Sequence, residues 1–338
     1  MESKSKFTKY NSIENISSKR LKDLEDQTDI SKDKIWWVTE KVHGSNFSIW
    51  YNKETDKVFY GKRNSFLTEK EGKTFLNVQT IFPILEEKIR KLTSYIVDFN
   101  EIIVYGEIFG GSYEHPSVEV NKEAKRVQKG VEYTPNTEFI AFDLKIDGKY
   151  TNKVLEQELL MKSGFLYSEP LMEGTIDECK QFDVETFKTT IPSKLGLPEI
   201  ENNFAEGVVI TPITPLFDKR GSRWIFKKKR SNFSEVIGKK KQIYTVSSYP
   251  PEIEELKNDM LRYVTDQRLS NVLSKIQTGE SIEKSDFGKV IGLFQKDVYE
   301  EYTRDESESF KNMENKSFKE YIKNAITKEC RALVQKRI

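Results

Sequence analysis

Five charged side chains of this sequence stand on or beside short apolar runs. Lys41 lies in Thr39-Glu40-Lys41-Val42-His43-Gly44-Ser45-Asn46-Phe47, between the apolar runs 35–38 and 47–51. A lysine there is either a solvated turn residue or a reactive amine. Gly44, three residues on, permits a tight turn or a close approach of the backbone to a ligand. Glu107 follows Ile102-Ile103-Val104-Tyr105-Gly106, and Glu206 precedes Gly207-Val208-Val209-Ile210. A carboxylate in so apolar a setting needs an ion-pair partner or a ligand, because burying it unpaired is costly. Lys227 and Lys229 flank Lys228 at the end of Arg223-Trp224-Ile225-Phe226. Alternate residues of a strand share a face, so Lys227 and Lys229 point one way and Lys228 the other. Two cations on one face repel unless both reach solvent or an anion sits between them.

One lysine beside a glycine, two carboxylates and a lysine pair are the parts needed to bind a nucleoside triphosphate and attack it. A free lysine amine, with an ordinary pKa near ~10.4, is protonated at neutral pH. Neighbouring cations and desolvation favour the neutral, nucleophilic form. Carboxylate and phosphate oxygens suit a hard cation, magnesium or manganese, and Glu206 is the candidate ligand. Lys227 and Lys229 would neutralise charge developing on the phosphate.

These groups need a scaffold to position them. The runs 35–38 and 47–51 read as strands, as do 57–60, where Gly61 is expected to break the pattern. Residues 101–111, 138–144, 204–210 and 223–229 read likewise. Ile81, Ile84, Leu85, Ile89 and Leu92 recur at helical spacing within 80–98, and 153–165 is a second expected helix, stopped by Gly164. A further helix is expected over 17–25. After Tyr244 the composition changes. Ser247-Ser248-Tyr249-Pro250-Pro251 is linker-like, and beyond it strand signals vanish while Leu256, Met260, Leu261, Val264, Leu269, Val272, Leu273 and Ile276 fit amphipathic helices. The last helix is expected from about 318 to 337. The fold class is therefore α+β, with mostly antiparallel sheets in residues 1–244 and a small helical domain in 250–338.

Composition sets bounds. The 338 residues carry 55 Lys+Arg against 54 Asp+Glu, a net charge of +1. Yet residues 219–241 hold ten basic residues against the single acidic Glu235, a net of +9. Such local asymmetry suits a polyanion or a solvated basic surface. Two cysteines and two histidines are too few for a disulfide framework or a histidine-rich metal site. No apolar run approaches membrane-spanning length and no signal-peptide core is visible, so a soluble, cytoplasmic protein and no membrane partner are expected.

The order Lys41-x-x-Gly44, Tyr105-Gly106-Glu107, Phe142-Asp143, Glu206-Gly207 and Lys227-x-Lys229 resembles motifs I, III, IIIa, IV and V of the covalent nucleotidyltransferases. Within that superfamily the sequence most resembles the RNA ligase 2 family, nick-sealing RNA ligases of the T-even phage type. Glu40 to Phe47, with His43, looks like that family's form of motif I, and Lys62-Arg63 like its next basic motif. Residues 263–276 and 286–293 look like its helical C-terminal domain. The resemblance implies an ATP-grasp-like ligase core and ATP-dependent joining of RNA 3′-hydroxyl and 5′-phosphate ends. Lys41 would carry AMP as a phosphoamide, with Mg2+ or Mn2+ as cofactor. Phe142 would stack on adenine and Glu107 would bind the ribose. Asn46 and Arg63 would lie near the ribose and α-phosphate, with Glu40 also at the nucleotide. His43, Glu206, Lys227 and Lys229 would serve the phosphate and metal chemistry. Arg268 and Asp297 would help place the RNA 5′-phosphate, or else form a surface ion pair. The expected partner is duplex or nicked RNA, met by a monomer. A DNA ligase, a GTP-using capping guanylyltransferase, or an RNA-binding protein on an inactive scaffold are the alternatives. The absence of a barrel-like strand series after Lys229 argues against the first two.

Overall fold

The computed structural model describes residues 6–16, 21, 24, 34–68, 71, 75–219, 221–234, 249–276 and 286–337. The chain divides into two compact units, residues 1–13 with 27–230, and residues 14–26 with 231–338. Most of the helix expected over 17–25 lies outside the described residues.

In the first unit, β1 (Trp36–Glu40), β2 (Ser45–Asn52), β3 (Lys57–Lys62), β4 (Glu101–Ser112), β5 (Thr134–Ile146), β6 (Pro170–Gly174), β7 (Gly207–Pro212) and β8 (Phe226–Lys229) form two sheets. The larger has the order β3-β2-β4-β5 and the smaller β8-β7-β1-β6, antiparallel at each of these pairings. Alternation along the strands decides what faces what. Phe47 and Ile49 of β2, Ile102, Val104 and Ile108 of β4, and Phe139 and Leu144 of β5 bury one face of the larger sheet. Helices α1 (Phe82–Thr93) and α2 (Lys153–Lys162) cover it with Leu85, Ile89, Leu92, Leu159 and Leu160. The opposite face presents Trp50, Ile103, Tyr105 and Phe142 to Tyr10 and to Val209 and Ile225. Asn46 and Glu107, paired on that second face, are two of the residues expected to do chemistry.

Several local expectations are corrected. Gly61 does not break its strand but lies buried within β3, where a Cβ would meet Ser48 Oγ at 2.5 Å and the Phe7 ring at 2.8 Å. α1 is shorter than 80–98, and its Ile84 is 51% exposed rather than part of the apolar stripe. α2 ends at Lys162, before Gly164, which adopts φ +76° as helix-terminating glycines do. β5 contains an irregularity that its sequence does not announce. Tyr105 pairs with Asp143 but its neighbour Gly106 pairs with Ala141, so Phe142 is an extra residue, a β-bulge.

The second unit is built of α3 (Pro251–Leu261), α4 (Asp266–Ile276), α5 (Phe287–Asp305) and α6 (Lys316–Gln335). Met260, Leu269, Val272, Phe294, Val298, Ile322, Ile326 and Cys330 pack its core. Asn15 belongs to this unit and donates to Asp305 at 2.6 Å. No described helix is long and apolar enough to cross a membrane.

Candidate active site

Glu206 is the centre of the site. It sits one residue before β7, and Gly207 is there because nothing larger fits. Its φ is +153°, and a Cβ would fall 2.2 Å from the Lys228 carbonyl oxygen. The Gly207 carbonyl accepts the Lys41 amide at 2.9 Å, and the Glu206 carbonyl accepts the Arg230 amide at 2.9 Å. The backbone thus brings two stretches far apart in sequence into register. The Glu206 carboxylate is almost fully buried. Its Oε2 lies 2.7 Å from Lys41 Nζ and 3.3 Å from His43 Nδ1, and its Oε1 lies 2.9 Å from Lys229 Nζ. Burial pushes this carboxyl up, but Lys229, then Lys41 and His43, outweigh burial and hold it well below the usual carboxylate range.

Gly44 answers the question posed by its spacing from Lys41. The backbone approach is to the sheet, not to a ligand: a Cβ at Gly44 would meet the Ile108 carbonyl oxygen at 2.1 Å. Glu107 stands directly opposite Asn46 across the β2–β4 pairing, so both lie on the face that carries Tyr105. Burial pushes the Glu107 carboxyl up to about 7, Glu206 adding to the rise while Lys41, Arg63 and the Gly44 amide oppose it. Lys41, Glu206, Arg63 and Glu107 therefore share one electrostatic neighbourhood. Phe142 lies on the same face of the sheet, its ring 5.0 Å from that of Tyr10.

The lysine strand behaves as alternation requires. Lys227 and Lys229 share a face, while Lys228 turns away and donates to the carbonyls of Lys180 and Phe182, both at 2.8 Å. The stretch of net +9 is accordingly not a uniform surface. Arg223 is buried and paired with Asp143, Lys229 with Glu206, and Arg230 lies over the Phe204 ring at 4.2 Å. Arg220 and Lys239, Lys240 and Lys241 fall outside the described residues.

Glu40 does not join this cluster. The Glu40 carboxylate is buried against the Thr189 hydroxyl and the amide and hydroxyl of Thr190, the latter two at 2.8 Å. Arg268 and Asp297 belong to the helical unit. Arg268 is fully buried, donating to the Tyr263 carbonyl at 2.9 Å and to Asp297 Oδ2 at 2.9 Å. They form an ion pair, but one packed into the unit rather than lying on its surface. Conversely, sequence reasoning passed over Tyr133. Its buried hydroxyl accepts the His43 amide at 2.9 Å and so braces the loop that carries Lys41. The only signal was an aromatic in a polar stretch.

The fit to a metal can be judged from the donors. Among the described residues no group of three or more His, Cys, Asp or Glu could hold a metal ion. Both Glu206 oxygens face cations. A single carboxylate beside lysines fits a hard ion that takes its remaining ligands from phosphate and water.

Residues 34–229 match the RNA ligase family model, and residues 247–332 match that of the T4 RNA ligase 2 C-terminal domain. The chain is 29% identical over 362 residues to RNA-editing ligase 2, mitochondrial, of Trypanosoma brucei brucei, covering 91% of this chain and 85% of that protein. It is 30% identical over 332 residues to RNA-editing ligase 1, mitochondrial, of the same organism, covering 80% of this chain and 70% of that protein. Among solved structures it is similar to Naegleria gruberi RNA ligase with PPi, at TM-score 0.44 and 15% identity. A mutant of that ligase with ATP and Mn gives TM-score 0.45 and 15% identity. In the PPi structure the match covers 67% of this chain and 57% of the other. The chain belongs to the RNA ligase family and is an ATP-dependent RNA ligase.

Proposed function

We propose that this ligase seals 3′-hydroxyl and 5′-phosphate RNA ends at nicks in duplex RNA, through a lysyl-AMP intermediate on Lys41 and an RNA-adenylate. The observation that carries the reading is the Lys41 amine 2.7 Å from a buried carboxylate that Lys229 and His43 also face. In the first step Lys41 Nζ, its proton passed to solvent, forms a bond to the α-phosphorus of ATP, the bond to the bridging oxygen breaks, and pyrophosphate leaves. AMP then passes to an RNA 5′-phosphate oxygen, freeing Lys41. The 3′-hydroxyl finally attacks that activated phosphorus and AMP departs.

The surrounding side chains divide the work. Phe142 offers its face to adenine, and Glu107 accepts from the ribose hydroxyls. Asn46, directly across from Glu107, and Arg63 lie toward the ribose and α-phosphate. Lys227 and Lys229 offset charge gathering on the phosphate oxygens as the bond to pyrophosphate lengthens. Glu206 gives up Lys41 when nucleotide enters and would hold Mg2+ or Mn2+, which when bound adds positive charge at the phosphates. His43, braced by Tyr133, keeps the Lys41 loop against Glu206. Glu40 acts from one shell further out, by fixing Thr189 and Thr190. In function, residues 1–244 would carry nucleotide chemistry and residues 250–338 RNA end placement, a division further along the chain than the break between the compact units after Arg230. Arg268 and Asp297 serve placement by holding the helical unit's shape. The protein works as a monomer. A reducing, cytoplasmic setting is supported by two buried free thiols, Cys179 and Cys330.

Incubation with labelled ATP and either divalent ion tests the reading. The parent chain becomes covalently labelled, whereas Lys41→Ala and Lys41→Arg do not, because a guanidinium stays protonated. A labelled Lys41 variant, or labelling by GTP but not ATP, would overturn it.

A further inference from the structure

The bulge in β5 leaves Phe142 outside the regular ladder, and its carbonyl must find another donor. It finds Lys153, the first residue of α2, whose buried ammonium donates to Phe142 O at 2.7 Å. The same ammonium is held by Asp143 Oδ1 and Glu156 Oε1, both at 2.9 Å. Glu156 in turn accepts the Leu144 amide at 3.1 Å. Asp143 completes the cluster by pairing with Arg223 and accepting the Tyr10 hydroxyl. Tyr10 packs its ring on Phe142, and Arg223 lies three residues before β8, which bears Lys227 and Lys229.

We propose that Lys153 is a positioning residue for the nucleotide: it fixes the aim of the Phe142 ring by clamping the bulge, and through Asp143 and Arg223 ties that ring to the lysine strand. The inference rests on the reading of Phe142 as the ring that stacks on adenine. Four chain segments meet at this cluster, contributing Tyr10, Phe142 to Leu144, Lys153 with Glu156, and Arg223. A hydrocarbon at position 153, at the start of α2, would be buried with less desolvation cost. Instead position 153 holds a charge shared between two carboxylates and one backbone carbonyl, that of the bulged Phe142.

Steady-state joining of RNA ends at varied ATP concentration separates this role from a merely structural one. Lys153→Met is expected to raise the KM for ATP about tenfold, the loss of one charge-assisted hydrogen bond, and to change kcat by less than about twofold. Phe142→Leu raises the same KM. The double variant is no worse than Phe142→Leu alone, because Lys153 acts through that ring. Multiplying effects, or an unchanged KM in Lys153→Met, would overturn the proposal. An unchanged KM in Phe142→Leu would instead overturn the adenine-stacking reading on which it rests. Should Lys153→Met fail to fold, Glu156→Gln loosens the ammonium without removing it. It is expected to raise KM in the same direction by a smaller factor, and no rise would count against the clamp.

Discussion

Replacing Glu107 with glutamine should make the protein more stable at neutral pH while weakening its grip on ATP. Burial raises the Glu107 carboxyl from 4.5 to about 7. The folded state therefore binds a proton that the unfolded chain has already lost between those two values. Stability from this group is fully present below about 4.5 and is lost as pH rises through about 7. The shift corresponds to at most about 3 kcal/mol, reduced by whatever water reaches this half-buried side chain. Glu107→Gln removes this titration, so its unfolding free energy should fall less steeply from pH 5 to 8 than the parent's, in which Glu156, raised to about 8, titrates as well. All four tryptophans, Trp36, Trp37, Trp50 and Trp224, lie in the first unit, so their fluorescence during urea unfolding reports on that unit alone. The expected gain at pH 8 moves the urea midpoint upward by up to about 1 M. The same variant should show a raised KM for ATP in steady-state joining of RNA ends, with the parent's KM falling as pH climbs past about 7. Parallel unfolding curves for parent and variant across this range would refute the argument, because Glu107 would then be titrating as an ordinary surface carboxylate.

Two further outcomes are expected. Arg268→Met leaves Asp297 and the Tyr263 carbonyl without the guanidinium, and should cost the helical unit about 3 kcal/mol or more, read by far-ultraviolet circular dichroism; lost joining with unchanged stability would instead mark Arg268 as a direct RNA contact. A chain ending near Tyr244 should still label itself from ATP yet fail to join 5′-phosphate RNA, and RNA already adenylated at its 5′ end should restore part of the joining; full sealing of ordinary nicks by that fragment would remove the helical unit from end placement.

What could be read from the sequence follows from what local pattern encodes. Lys41, Glu206, Lys227 and Lys229 stand out because each interrupts or ends an apolar run, and period-two alternation alone separates Lys228 from its neighbours. Motif order then supplied Phe142 and His43, which pattern would not. The pairing partners were another matter. Glu206 meets Lys41 across a separation of 165 residues, and no spacing rule spans that distance. The bulge at Phe142 is invisible because one extra residue preserves the composition of its strand. Arg223 counted as surface charge in a basic stretch, yet its partner Asp143 lies on another sheet. Glu40 looked like a ligand contact because it precedes Lys41, while Thr189 and Thr190, which hold it, sit in the stretch with the fewest recognisable features. Arg268 is legible as a charge but not as a buried one, since burial of arginine depends on the carboxylate and carbonyl that helical packing brings to it.

The Glu206 cluster has a consequence for how nucleotide enters. Lys41 and Lys229 already share one carboxylate, so on the proposed reading a triphosphate would not arrive at bare cations. It must displace the carboxylate from Lys41 and Lys229 and take over their company, much as one counterion replaces another on a resin. Affinity then reflects the difference between two anions for the same lysines, rather than the full attraction of either. On the same reading the Glu206 carboxylate would compete with pyrophosphate for these lysines as the leaving group departs.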